Sequence, residues 1–479
     1  MSAYCSAMRR ICPMSARLWL VLLPVLLLAG CAVGPNYKAP DARAPAAFRG
    51  GESSPTNSLG DLPWWQLFQD PALQTLIQTA LTNNYDLRVA VARVEESRAL
   101  LAQSRSQFYP QVTYQGLISG GRNSELGSPY PGVGRTQWYE ALGNVSWEID
   151  LWGRIRRLTE SSRANYLATE EARRNVTISL VAGVAQSYFQ LLALDEELAI
   201  AQQTSNSFGQ SLTLFRDRLR GGVSSKLESS AAEAALASAA ATIPELRRQI
   251  ALQENQIRVL LGSYPGPVAR QPGALQTESL PDIPAGLPSA LLERRPDIRQ
   301  AVQLMRAANA RVGVAKANFY PRITLTGFMG EVSPDLSAFS AGALSTWSAA
   351  ANLAGPIFQG GLLRGQLRQA RAAWDEARFQ YQATVLNAFQ EVSDALVSRQ
   401  ELARERLEQS RAVTAYQEAV KVANQRYRGG QSSYYELLQE QQLLFPAQNA
   451  LIQTLLNQRL ATVQLYKALG GGWNVGPQS

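Results

Sequence analysis

The residue best placed for covalent chemistry is Cys31. It closes the run Leu28-Ala29-Gly30-Cys31, after an apolar stretch from Leu18 to Leu28 broken only by Pro24. Arg9, Arg10 and Arg17 precede that stretch. A basic start, a short apolar segment and small residues before a cysteine make a leader that is cut at the cysteine, which then carries acyl chains. The apolar segment is short for a membrane span. Residues 1–31 are therefore expected to be a lipoprotein signal peptide ending at an acylated, palmitate-bearing Cys31. Other chemistry is poorly provided for. Cys5 and Cys12 leave with the leader, so no disulfide is expected in the mature chain. The chain has no histidine, which removes the commonest general base, the commonest zinc ligand and every Ser-His or Cys-His nucleophile. A carboxylate-dependent hydrolase would need a converging acid pair, and the acids here are spread along helical segments. Neither an enzyme, nor a cofactor, nor a metal site is expected.

By resemblance to bacterial sorting rules, Ala32 after the cysteine favours the outer membrane. Residues 32–62 are rich in Pro, Gly, Ala and Ser and read as an extended N-terminal tether. Its first part is Val33-Gly34-Pro35-Asn36-Tyr37-Lys38-Ala39-Pro40. The net charge of +8 falls to +5 without the three leader arginines (8 − 3). Arg154, Arg156 and Arg157 form the densest basic cluster. They lack the interleaved aromatics of a single-strand binder, so the cluster reads as solvated or facing lipid headgroups, and no nucleic-acid partner is expected.

The elements that must position anything in this chain come in two copies. Asp86-Leu87-Arg88 opens a stretch ending in Phe108-Tyr109-Pro110, and Asp297-Ile298-Arg299 opens one ending in Phe319-Tyr320-Pro321. The offset is 211 residues (297 − 86). Further on, Arg218-Leu219-Arg220-Gly221-Gly222 recurs as Arg426-Tyr427-Arg428-Gly429-Gly430, and Leu261-Gly262 as Leu469-Gly470, offset by 208 (426 − 218). One structural unit is used twice. The expected division is a first repeat over 63–262, a linker over 263–288, a second repeat over 289–470 and a tail over 471–479.

No proline interrupts Arg154 to Leu219, and neither proline nor glycine interrupts Gln366 to Arg428. Helices of about 60 residues at 1.5 Å per residue would reach roughly 90 Å. Leu367, Trp374, Tyr381, Ala388, Ala395 and Leu402 recur every seven residues, which indicates helices packed along their length. Each long helix should stop at its Gly-Gly pair, with serine capping the next helix. Shorter helices are expected over about 224–261 and 432–469, kinked or broken by Pro244 and Pro446.

Four segments alternate instead with period two, at about 111–119, 137–149, 321–330 and 345–357. In the second, Tyr139, Ala141, Gly143, Val145, Trp147 and Ile149 face one side and Glu140, Asn144, Ser146 and Glu148 the other. Strands of about ten residues suit a membrane barrel, although half-buried hairpins of a soluble domain would alternate in the same way. Four strands cannot close a barrel, whose smallest examples use about eight. Open edges in lipid would leave backbone groups unpaired at several kcal/mol each. If the strands span a membrane, other copies must supply the rest; two copies give eight strands and three give twelve.

These residues resemble the TolC-like outer-membrane factor family, in its lipid-anchored OprM/NodT-type efflux branch. The resemblance covers nearly the whole mature chain. It rests on Cys31 with Val33-Gly34-Pro35-Asn36-Tyr37, on Trp64-Trp65-Gln66-Leu67-Phe68-Gln69-Asp70-Pro71, on Asn84-Tyr85-Asp86-Leu87-Arg88, on the two Phe-Tyr-Pro motifs, and on Trp152-Gly153-Arg154 and Arg426-Tyr427-Arg428-Gly429-Gly430. It implies a mainly α fold with a membrane β part. Long α-helical hairpins would form a periplasmic tunnel, and four β-strands per chain would join a shared twelve-stranded barrel in a homotrimer. It also implies a passive exit duct for drugs and small toxic molecules in a tripartite efflux system, with outer-membrane lipid, a periplasmic membrane-fusion adaptor and an inner-membrane RND-type transporter as partners. A duct for secreted polypeptides or metal ions is the alternative. In the family the Gly-bearing turns meet the adaptor. Here they are Arg220, Gly221, Gly222, Val223 and Ser224, with Arg428, Gly429, Gly430, Gln431 and Ser432. The family narrows the tunnel tip with tyrosine and acidic residues, matched by Tyr427, Glu228 and Glu436. The next acidic position of the family is Gln439 here.

Overall fold

The computed structural model describes residues 32–40, 45, 47–50, 58–122, 135–271, 273, 275, 288–339 and 345–473. The leader with Cys31, the strand-connecting segments 123–134 and 340–344, most of the linker and residues 474–479 lie outside them. In chain order the main elements are α1 (Pro71–Asn83), α2 (Tyr85–Ser106), β1 (Gln111–Arg122), β2 (Arg135–Ile149), α3 (Arg154–Arg220), α4 (Lys226–Leu260), α5 (Pro296–Ala317), β3 (Arg322–Ser333), β4 (Ser345–Ala354), α6 (Leu362–Arg428) and α7 (Tyr434–Ala468).

The duplication is visible in element lengths. Helices α2 and α5 have 22 residues each, α3 and α6 have 67, and α4 and α7 have 35. A 67-residue helix is about 100 Å long. Pro244 lies inside α4 and Pro446 inside α7; of the two expected outcomes, a kink or a break, the break does not occur. A proline removes one N–H and crowds one carbonyl. The nearest buried side chains lie more than a turn away on either side, Ala239 and Ile250 in α4 and Leu438 and Ile452 in α7.

The chain gathers into two compact units, to each of which α3 and α6 contribute. The first contains an antiparallel sheet of order β1-β2-β3-β4. The strands extend over 111–122, 135–149, 322–333 and 345–354. Register aligns Val112 with Val145, Gly327 and Ala349, and Tyr114 with Gly143, Met329 and Trp347. That face is apolar, and Tyr114 is 94% exposed. The opposite face carries rows such as Thr113, Asn144, Phe328 and Ser348, or Glu148, Thr324 and Asn352. Gly330 is required by close approach, because a Cβ there would lie 2.0 Å from the Ala141 carbonyl oxygen.

Below the strands, Asp150 caps α3 by accepting the Ile155 and Arg156 N–H groups at 3.0 and 2.8 Å. Arg154 is bidentate on Glu148, Arg156 pairs with Asp150, and Arg157 pairs with Glu160 and donates to Asn36. This corrects the reading of the three arginines as a solvated or headgroup-facing cluster. Each is held by a carboxylate that comes from the strand end or from the helix itself. The segment 32–37 is extended yet seated. The Val33 N–H donates to the Trp152 carbonyl, Asn309 donates to the Pro35 carbonyl, and the Arg306 guanidinium lies 4.9 Å from the Tyr37 ring centre.

The second unit has its own core. Asp70 caps α1 through the Ala72 and Leu73 N–H groups, and the Tyr188 hydroxyl donates to its other oxygen at 2.6 Å. Phe68 packs on Phe189 and Tyr466, whose hydroxyl donates to the Leu62 carbonyl. Arg295 is buried and paired with Asp297 and Glu391.

Candidate functional site

Two features of this fold can act: the four-stranded sheet, and the pair of turns that end α3 and α6. The sheet presents one apolar face, and its outer strands, β1 and β4, each pair on one side only among the described residues. Such a sheet is stable in hydrocarbon only when its free edges find partners. Around its helix-side end stand aromatics: Tyr109 and Phe358 are exposed, and Trp152 stacks on Tyr320 at 4.7 Å. Amphipathic rings at that level suit a membrane–water boundary.

The turns share one backbone design. Gly222 and Gly430 both have φ of +74°. After α3, the Gly222 N–H bonds to the Leu219 carbonyl and the Val223 N–H to that of Arg218. After α6, the Gly430 N–H bonds to the Tyr427 carbonyl and the Gln431 N–H to that of Arg426. This paired 5→2 and 6→1 pattern closes a helix around a left-handed residue. A Cβ at Gly222 or Gly430 would meet nothing within 4 Å. The glycines are therefore fixed by conformation, and the chain leaves the surface beside them open. Val223 and Leu227 stand there 76% and 78% exposed.

The chemistry of the turns differs. In the first, the Glu228 carboxylate accepts from the Ser224 hydroxyl at 2.5 Å and the Ser225 N–H at 2.9 Å, and the Glu228 N–H donates to the Ser225 hydroxyl. This is a complete capping box. The Ser224 hydroxyl bond, then the Ser225 N–H bond, hold the Glu228 carboxyl below its ordinary pKa. In the second turn Ser433 makes no side-chain cap, and Glu436 points toward Arg426, 3.9 Å away. Tyr427 is only 7% exposed. Its hydroxyl accepts from Arg218, and its ring packs with Phe215 and Tyr434. Burial pushes its pKa up.

The structure thus brings Tyr427 and Glu228 near a common neighbour, Arg218, which acts electrostatically on both. The sequence reading missed Arg218, Phe215 and Tyr434. Arg218 and Phe215 stand three residues apart on one face of α3, but the contact with Tyr427, 209 residues on, has no local signal. Among the described residues, no group of three or more His, Cys, Asp or Glu side chains converges as a metal site. Cys31 lies outside the described residues.

A family model described as "Outer membrane efflux protein" matches residues 76–263 and 287–471. The chain belongs to the outer membrane efflux protein family. Among its relatives, the antibiotic efflux pump outer membrane protein ArpC of Pseudomonas putida is 38% identical over 467 residues, 96% of each chain. The cation efflux system protein CusC of Escherichia coli is 34% identical over 460 residues, 94% of this chain and 98% of that protein. The solved outer-membrane channel OprN matches with a TM-score of 0.84 at 32% identity, covering 92% of this chain and all of the other. As a family member this protein is an outer-membrane efflux channel component with the TolC-like fold, and not an enzyme. It is located in the outer membrane.

Proposed function

We propose that three copies of this chain close a twelve-stranded barrel above a shared helical tunnel, and that the assembly is the passive exit duct of a tripartite pump for drugs and other small toxic molecules. The supporting observation is the sheet, four strands with one apolar face and two edges left unpaired among the described residues. An acylated Cys31 would fasten the duct to the outer membrane. An inner-membrane RND-type transporter would supply energy, and a periplasmic membrane-fusion adaptor would join the two. The adaptor's landing site is formed by Arg220, Gly221, Gly222, Val223 and Ser224 with Arg428, Gly429, Gly430, Gln431 and Ser432. The open space beside both glycines favours this role. Tyr427, Glu228 and Glu436 form the periplasmic constriction. Glu436, exposed and uncommitted to a cap, is better placed than Glu228 to face permeating cations.

Purified protein in planar bilayers tests the duct directly. Discrete conductance steps are expected, and no steps under conditions that open relatives would refute it. Replacing Gly430 with a bulky residue should abolish adaptor crosslinking while trimers persist. The 34% identity to a cation efflux protein favours a second reading, export of metal ions. Expressed in a host lacking its own channel, the chain would then restore tolerance to metals and not to drugs.

A further inference from the structure

The two copies of the repeat differ at one junction between strands and helices. In the first copy, Arg154 bridges the end of α2 and the end of β2. It is bidentate on Glu148 at 2.7 and 2.9 Å and donates to the Gln107 side-chain oxygen at 3.2 Å. The cation is neutralised there and the amide oxygen is used.

The repeat offsets carry these positions into the second copy. Gln107 corresponds to Asn318 and Gln111 to Arg322 (318 − 107 = 211), and Glu148 corresponds to Pro356 and Arg154 to Leu362 (362 − 154 = 208). The ion pair is lost and the junction stands open. A cavity of about 460 Å³ lies between the end of α5 and the start of α6, within the range of small-molecule sites. Arg322, Asn318, Gln359 and Gln366 give it polar walls, and Tyr320 and Leu362 give it apolar ones.

Two of these polar groups are unsatisfied. Arg322 forms no ion pair or hydrogen bond by its side chain among the described residues. Asp150, one step past the pairing of Ile149 with Ile323, is committed to Arg156 and to the N–H groups that open α3. The Asn318 Oδ1 atom is buried with no hydrogen-bond partner among the described residues. A guanidinium selects an anion, best a planar carboxylate, and a buried amide oxygen needs a donor. The apolar walls suit a hydrocarbon body, which an inorganic ion lacks. Arg322 pairs with Ala354, two residues along from the pair Thr324 with Asn352, so it lies on the polar face of the sheet.

We propose that this cavity is a way station for permeating organic acids, amphiphiles that carry a carboxylate for Arg322 and a hydroxyl or N–H donor for Asn318 on an apolar body. It rests on the duct reading above, in which the polar face lines the bore, and gives that bore a substrate class. Conduction needs binding firm enough to admit a solute and weak enough to release it. One exposed guanidinium with one amide meets both needs. The twin junction cannot serve, because Glu148 already occupies its arginine.

Full-length protein in planar bilayers tests the station, with cholate, a hydroxylated carboxylate, added below its micellar concentration. Brief current interruptions are expected, at a frequency proportional to cholate concentration. Arg322→Gln should shorten them about tenfold or more, the worth of a charge-assisted hydrogen bond. Pro356→Glu combined with Leu362→Arg rebuilds the filled junction of the first copy and should abolish the interruptions while conductance steps persist. Steps that cholate does not interrupt, or interruptions unchanged by Arg322→Gln, would overturn the station and leave the duct standing. Wild-type protein that gives no steps would overturn the duct reading and the station with it.

Discussion

The turn after α3 and the turn after α6 have the same backbone and different side-chain chemistry. Their glycines share φ of +74°, and their closing N–H bonds follow one pattern. Both turns are followed by Ser-x-x-Glu, Ser225 to Glu228 and Ser433 to Glu436. Only the first closes the capping box. In the first turn the nearby arginine, Arg218, is engaged with Tyr427, and Glu228 is left to the serines. In the second the twin arginine, Arg426, draws Glu436 away. Duplication kept the backbone where conformation leaves no choice. It let the side chains diverge where two partners compete for one carboxylate.

The largest effect should come from attacking what the turns share. A β-branched residue in the left-handed region costs about 1–2 kcal/mol, a factor of about 5–30 in a local opening equilibrium. Gly222→Val and Gly430→Val should each lower amide hydrogen-exchange protection in the last turn of the preceding helix by that factor. Unequal losses would break the equivalence of the two backbones. Ser225→Ala should cost the first turn about 1 kcal/mol, the usual worth of an N-cap. Ser433→Ala should leave the second turn unchanged within error, because its hydroxyl caps nothing. Smaller still is the effect of Arg426→Gln. It frees Glu436 to reach the Ser433 N–H, so protection in the first turn of α7 should rise. A subsequent Ser433→Ala change should then be felt, and silence in that background would remove Arg426 as the cause of the asymmetry.

Much of this was legible in the sequence, and the limits have physical causes. Long helices ending at Gly-Gly pairs followed from the absence of breakers and from the need for a left-handed closing residue. The strands followed from period two; the structure adds three residues beyond 119 and three beyond 330, and it ends the fourth at Ala354, short of the expected 357. What failed was partnership across long separations. Arg157 meets Asn36, 121 residues away, and Trp152 meets Pro321 at 169. No local pattern encodes such pairs, whereas the carboxylates that hold the three arginines, Glu148, Asp150 and Glu160, lie three to six residues away and were open to inspection. The capping box at Glu228 failed differently. Its Ser-x-x-Glu signature was present, but the same signature stands at Glu436 where no box forms. The fates of Arg218 and Arg426 separate the two.

The smallest expected effect, and the most specific, is one of pH. Hydrogen bonds from Ser224 and Ser225 hold Glu228's folded-state pKa below its unfolded value, which for a glutamate is about 4.3. A depressed carboxylate contributes stability that is fully present above the unfolded pKa and is lost as pH falls through the folded one. Protection of the first turn of α4 should therefore hold at neutral pH and decline below about pH 4.3, after correction for intrinsic exchange. Glu228→Gln keeps an acceptor for the box but has no proton to gain, so its protection should not follow that decline. If wild type and the glutamine variant fall together on acidification, the carboxylate is not what ties the first turn. The asymmetry between the two turns would then have to come from Tyr434, which is buried at the start of α7 where the exposed Lys226 starts α4.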